Sequence, residues 1–204
     1  SAPRDKAPDT ASKETPMPFF PSFPPDANVA TIAGTRPDYY RPWMGMVETL
    51  MRGPSPLSVG QRELIAAWTS KLGQCPYCYG GHQAAAAILG YSPALLDAMV
   101  KDMDTAEIED EMKPLLKYVR KVALEPYKLV QADADAVFAA GWDERALHDA
   151  VAVCCTFAFM NRLVLGHGIE AIPEKFEARG RQHVEKGYTG QYAKVVGTPT
   201  EAAE

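Results

Sequence analysis

Two cysteines three positions apart, Cys75 and Cys78, followed by His82, are the residues best suited to chemistry in this chain. Alone, the Cys-x-x-Cys spacing signals dithiol redox chemistry or metal binding. Pro76 suits the first turn of a helix, so the pair belongs at a helix N-terminus. Free backbone N–H groups and the positive end of the helix dipole there favour thiolate over thiol. Cys75 and Cys78 reach each other across one turn, and His82, four beyond Cys78, shares their face. An imidazole so placed takes or returns a thiol proton near neutral pH.

A carboxylate enters through the element before the pair. Leu57, Leu64, Ile65, Trp68 and Leu72 recur at helical spacing, with Ser58 as N-cap and Gly73 as the C′ residue. If the next helix returns antiparallel, Glu63 lies level with His82 or Gln83. A carboxylate beside that imidazole fixes its tautomer and raises its basicity. The expected relay is Glu63, His82, Cys78, Cys75. The dipole favours Cys75 as the reactive sulfur and the nearby base favours Cys78. A dipole contact at one exposed end contributes only about 1 kcal/mol, so the base decides for Cys78.

The rest of the chain is read as helices joined by short turns: Tyr39 to Met51, Pro76 through the alanine run to Gly90, Ala94 to Lys101, Asp104 to Leu124 interrupted at Pro114, Gln131 to Ala140, and Asp143 to Leu165. No alternating strand is evident, so the fold class is an all-α array in a single domain. Eleven of the 17 prolines precede residue 57. Residues 1–36 are expected to be a flexible Pro-rich arm carrying Phe19, Phe20 and Phe23, residues 37–178 the helical domain, and residues 179–204, with four glycines, a loosely ordered C-terminal tail.

With 204 residues the chain can bury a sizeable core. Its 21 basic and 26 acidic residues, net charge −5, argue against nucleic-acid binding. No uninterrupted apolar run nears the ~18 residues of a membrane span, so no membrane partner is expected. No intact signal peptide is visible, and a cytoplasmic location is expected unless a signal preceded Ser1. Structural zinc wants four protein ligands, and no second Cys or His pair lies near Cys75, so no metal is expected. Cys154 and Cys155, inside the most apolar helix, read as small buried hydrophobes. His148 and His183 lack a motif and read as surface residues. His167 marks a helix end, Asn161 and Arg162 suggest a hydrogen bond at a core edge or between subunits, and Trp43, Trp68 and Trp142 suggest anchors.

Glu63, then Cys75, Cys78 and His82 at these spacings, resembles the core of the AhpD alkylhydroperoxidase group within the carboxymuconolactone decarboxylase superfamily. Cys-Pro-Tyr-Cys with the trailing His, and Phe157-x-x-x-Asn161-Arg162-Leu163, resemble its peroxidase-related branch, over residues 37 to 175. The resemblance implies an AhpD-like helical fold and a homo-oligomer (dimer, trimer or hexamer). It also implies a thiol peroxidase or dithiol–disulfide activity with no bound cofactor, a hydroperoxide substrate and an external dithiol reductant protein. It implies Cys78 as the peroxide-attacking thiolate and Cys75 as proton donor and resolving thiol. Tyr77 stands where well-known members carry a second His, which shortens the relay. Two other readings are a non-catalytic oligomeric module whose Cys-x-x-Cys is a structural disulfide or metal clip, and a decarboxylase or lactone-acting member.

Overall fold

The computed structural model describes residues 17–197. Among them lie nine α-helices and no strand, as the all-α reading expected. They are α1 Val29–Thr35, α2 Pro37–Arg52, α3 Val59–Leu72, α4 Pro76–Ile88, α5 Leu95–Lys101, α6 Met112–Leu124, α7 Gln131–Ala139, α8 Glu144–Gly166 and α9 Phe176–Val196. Helix α3 is the hub. Every residue from Arg62 to Ser70 is buried, so it has no solvent face, and α4, α8 and α6 pack around it. Ser58 caps it through a capping box with Gln61. Helix α8 has the length and hydropathy of a membrane span, yet Ala150, Val153, Cys154 and Phe157 lie in the core against α3 and α6. It is a core helix.

The hairpin between α3 and α4 turns one residue later than expected. Gly73 keeps φ −77°, and Gln74 takes the left-handed conformation at φ +51°. Gly73 is needed for space instead. A Cβ there would sit 2.7 Å from Nδ2 of Asn161 on α8. Asn161, buried, turns that amide toward the Thr69 carbonyl, so its polar group serves the α3–α8 contact within one chain.

Both expected tails pack in part, the arm from Phe23 onward and the C-terminal segment through α9; residues 1–16 and 198–204 of them lie outside the described range. Phe23, Ala27, Val29, Ile32 and Ala33 join a second apolar cluster with Met44, Cys75, Tyr77, Cys78, Met160, Val164 and Tyr192. Asn28 caps α1 with a capping box to Thr31, and Phe20 stacks on His167 at the end of α8. The segment after residue 178 is no loose tail. It is most of α9, packed along α4. Its glycines looked like breakers, but Gly180, His183, Gly187, Tyr188, Tyr192 and Val196 form one buried stripe. Only Gly187, at φ +62°, interrupts the helix, and the Glu48 carboxylate accepts the Tyr188 and Thr189 N–H groups freed there.

Helices α4 and α9 approach closely through glycine. A Cβ on Gly180 would lie 2.6 Å from the Ala84 Cβ and 2.7 Å from the Ala85 nitrogen. Backbone cannot give way as a flexible side chain does, so Gly180→Ala must push α9 off α4. We expect a loss of about 1–3 kcal/mol in urea unfolding, against no measurable loss for Gly190→Ala, whose Cβ would meet only the Lys186 Cβ at an ordinary contact of 3.6 Å.

Candidate active site

The site is built where α2, α3, α4, α8 and α9 meet. Helix α4 begins with Cys75 as its N-cap and Pro76 in its first turn. Cys78 follows one turn inside, and His82 one turn further. The two sulfurs are 2.6 Å apart and both thiols are free. Cys75 is sealed from solvent, whereas Cys78 lines a cavity of about 40 Å³, room for one or two waters. His82, Phe157, Met160, Arg179, His183 and Tyr192 share the lining.

Glu63 and His82 meet as the hairpin arithmetic required. His82 Nδ1 lies 2.8 Å from Glu63 Oε2. The carboxylate has no solvent exposure, and its other oxygen accepts from Arg52 Nη2 at 2.6 Å and from the Tyr188 hydroxyl at 3.1 Å. Burial alone would raise its pKa. The hydrogen bond and charge of His82, with His183 and Arg52, outweigh that and lower it to about 2. With Nδ1 engaged by a carboxylate, the neutral ring carries its proton on Nδ1 and leaves the Nε2 lone pair free to accept one. Among the described residues no hydrogen bond joins His82 to a sulfur; the two share the cavity wall.

The sulfur pair ionises unevenly. A hydrogen bond from the Cys78 thiol pulls the Cys75 thiol below its ordinary value, and the Cys78 backbone N–H and Arg179 add to this. Cys78 is held well above the usual thiol range, first by burial and then by Cys75. The resting charge of the singly ionised pair therefore sits on Cys75, where the dipole argument placed it, while access to the cavity belongs to Cys78. A proton crossing one sulfur–sulfur contact separates these two states.

Tyr77, between the cysteines, is no base. Its hydroxyl accepts the Val29 N–H at 3.2 Å, tying α1 to the site, and burial raises its pKa. Arg179 lies over its ring at 3.6 Å and donates to its carbonyl. Two residues of this cluster, Arg179 and Tyr188, went unnoticed in the sequence, and a third, His183, was misplaced. The expectation that His183 is a surface residue is wrong. Its ring is buried and stacks on His82 at 4.8 Å, with 6° between the planes. The small-and-aromatic stripe of α9 was the available signal. Cys155 is exposed while Cys154 is buried, so only the latter is a core residue. No group of acidic, Cys and His side chains able to hold a metal occurs among the described residues.

Residues 37–109 match the model of the carboxymuconolactone decarboxylase family, a stretch holding Glu63, Cys75, Cys78 and His82. A solved structure from Ralstonia eutropha JMP134, described as an alkylhydroperoxidase AhpD core and an uncharacterized peroxidase-related protein, is 27% identical with TM-score 0.66, covering 74% of this chain and 79% of that one. Residues 37–109 therefore carry a carboxymuconolactone decarboxylase family segment, and the fold around them is similar to the AhpD core. An uncharacterized peroxidase-related protein from Silicibacter sp. TM1040 shares the fold at TM-score 0.69 and 22% identity, over 85% of this chain and all of that one. No curated protein matches the chain. The matched segment begins after α1 and ends before α8 and α9, so more than half of the residues lining the pocket around its motif come from outside it.

Two buried groups set an acid limit on stability. Burial, then His82, pushes His183 from the usual 6.5 down to about 3, so it is uncharged when folded and protonated when unfolded between those values. Glu63 is ionised when folded and protonated when unfolded from 4.5 down to about 2. In both windows the unfolded chain binds more protons, so stability falls with pH. Tm should decline from near pH 6.5 downward, and His183→Phe should flatten the part between pH 6.5 and 4.5. Calorimetry across pH 4 to 8 checks this.

Proposed function

We propose that the protein is a thiol-dependent hydroperoxide reductase, with Cys78 as the attacking sulfur, Cys75 as the resolving thiol, His82 as the base and Glu63 as the group that orients it. The observation that carries this reading is a dithiol, one sulfur of which lines a small, mostly apolar cavity, beside an imidazole held by a buried carboxylate. His82 takes one proton from the pair through a water or the peroxide held in the shared cavity. The Cys78 thiolate attacks one peroxide oxygen; the S–O bond forms, the O–O bond breaks, and the departing alkoxide takes the proton from the His82 imidazolium. Sulfur is oxidised to the sulfenic acid as the peroxide is reduced to alcohol. Cys75 then attacks that sulfur, the S–S bond forms and water leaves.

An external dithiol protein returns the pair to its thiols, in a reducing compartment such as the cytoplasm. The chain works as a homo-oligomer in this reading, with Ile88 and Leu89, exposed at the end of α4, as surface for self-contact. The reading needs no metal or organic cofactor, because the electrons come from sulfur. Stopped-flow mixing with hydrogen peroxide or an alkyl hydroperoxide tests it. Cys78→Ser should lose peroxide consumption by at least about 100-fold. Cys75→Ser should consume one equivalent and stop at a sulfenic acid that a dimedone probe traps. Undiminished turnover in Cys78→Ser contradicts the mechanism.

A further inference from the structure

Helix α9 brings a second imidazole against the first, and nothing in the matched family segment accounts for it. His82 is enclosed on every side. From α3, Glu63 holds Nδ1; from α8, Phe157 packs at 4.3 Å and 71°; from α9, the His183 face lies parallel at 4.8 Å, with Tyr188 next to it at 5.3 Å. The other titratable or charged groups nearby are Arg52 from α2, spent on Glu63 and the His183 carbonyl, Arg179 from α9, spent on Tyr77, and Cys78 on α4 itself. His183 is fixed as firmly as the ring it covers. Arg52 Nη2 donates to its carbonyl at 2.6 Å, and Gly81 of α4 leaves room for the ring, since a Cβ there would lie 3.3 Å from Nε2.

We propose that His183 is a positioning residue for His82: an uncharged aromatic wall that fixes the imidazole plane and favours the imidazolium formed when His82 takes the thiol proton. This rests on the thiol peroxidase reading above. A cation gains from the face of a neutral aromatic ring, and a second charge at 4.8 Å in a buried site would oppose the first. His183 is kept uncharged by burial first and then by His82 itself. The His183 Nδ1 is buried with no hydrogen-bond partner. A phenyl ring of similar shape therefore gives up no bond there, which makes Phe the conservative replacement.

The test is titration of the ring nitrogens by NMR in protein labelled at its four histidines, in parent, His183→Phe and His183→Leu, paired with the rate of Cys78 alkylation against pH. The parent should show His183 uncharged from pH 5 to 9. His183→Phe should keep the His82 midpoint and the alkylation rate within about twofold, while His183→Leu lowers the affinity of His82 for its proton by about threefold or more and slows alkylation in step. A His183 that titrates in the parent, a Leu variant that behaves as Phe does, or a Phe variant that falls as far as Leu overturns the proposal. The parent measurement decides even where a variant fails to fold. The titration needs no turnover, so a protein that never consumes peroxide would sink the peroxidase reading without touching this result.

Discussion

A carboxylate without solvent is the constraint on which this structure depends. Glu63 sits in the middle of α3, a helix buried all round, and a lone charge there would be costly. It is tolerated because donors arrive from three other helices: Arg52 from α2, His82 from α4 and Tyr188 from α9. Satisfying one charge therefore fixes how four helices meet. The dithiol inherits its position from this meeting, since Cys78 lies one turn before His82 on α4.

The same arrangement links fold to chemistry through the glycines. Gly80 and Gly81 in α4 and Gly180 in α9 would each be expected to weaken a helix, yet they let the two backbones approach until His183 and Tyr188 reach the site. A Cβ on Gly80 would run into the Phe176 ring, and one on Gly81 into Arg179. The cavity that results is small and mostly apolar, with Met44, Phe157 and Met160 around the Cys78 sulfur. Low-polarity walls strengthen each charge–charge contact inside.

Much of this was legible in the sequence because it rests on local spacing. Helix starts at Ser58 and Pro76, the turn after Leu72 and the face shared by Cys75, Cys78 and His82 follow from i, i+3 and i+4 geometry, and the turn alone brings Glu63 to His82. Contacts between distant segments were not legible. His183 was read as a surface residue because α9 looked like a glycine-broken tail; its burial stripe emerges only once α4 supplies the partner surface. Gly73 was read as a helix stop, although its lack of a side chain answers Asn161, 88 positions on. Which sulfur carries the resting charge also needed the structure, because it turns on a contact between the two thiols.

The central claim is that Glu63, through His82, eases the first proton off the dithiol. The most direct measurement follows thiolate absorbance against pH in the parent and in folded Glu63→Gln, whose side chain keeps the shape and loses the charge. The account predicts a first midpoint below the ordinary thiol value in the parent and a higher one, by about tenfold in proton affinity or more, in the variant. Coincident titration curves for the two proteins would contradict it.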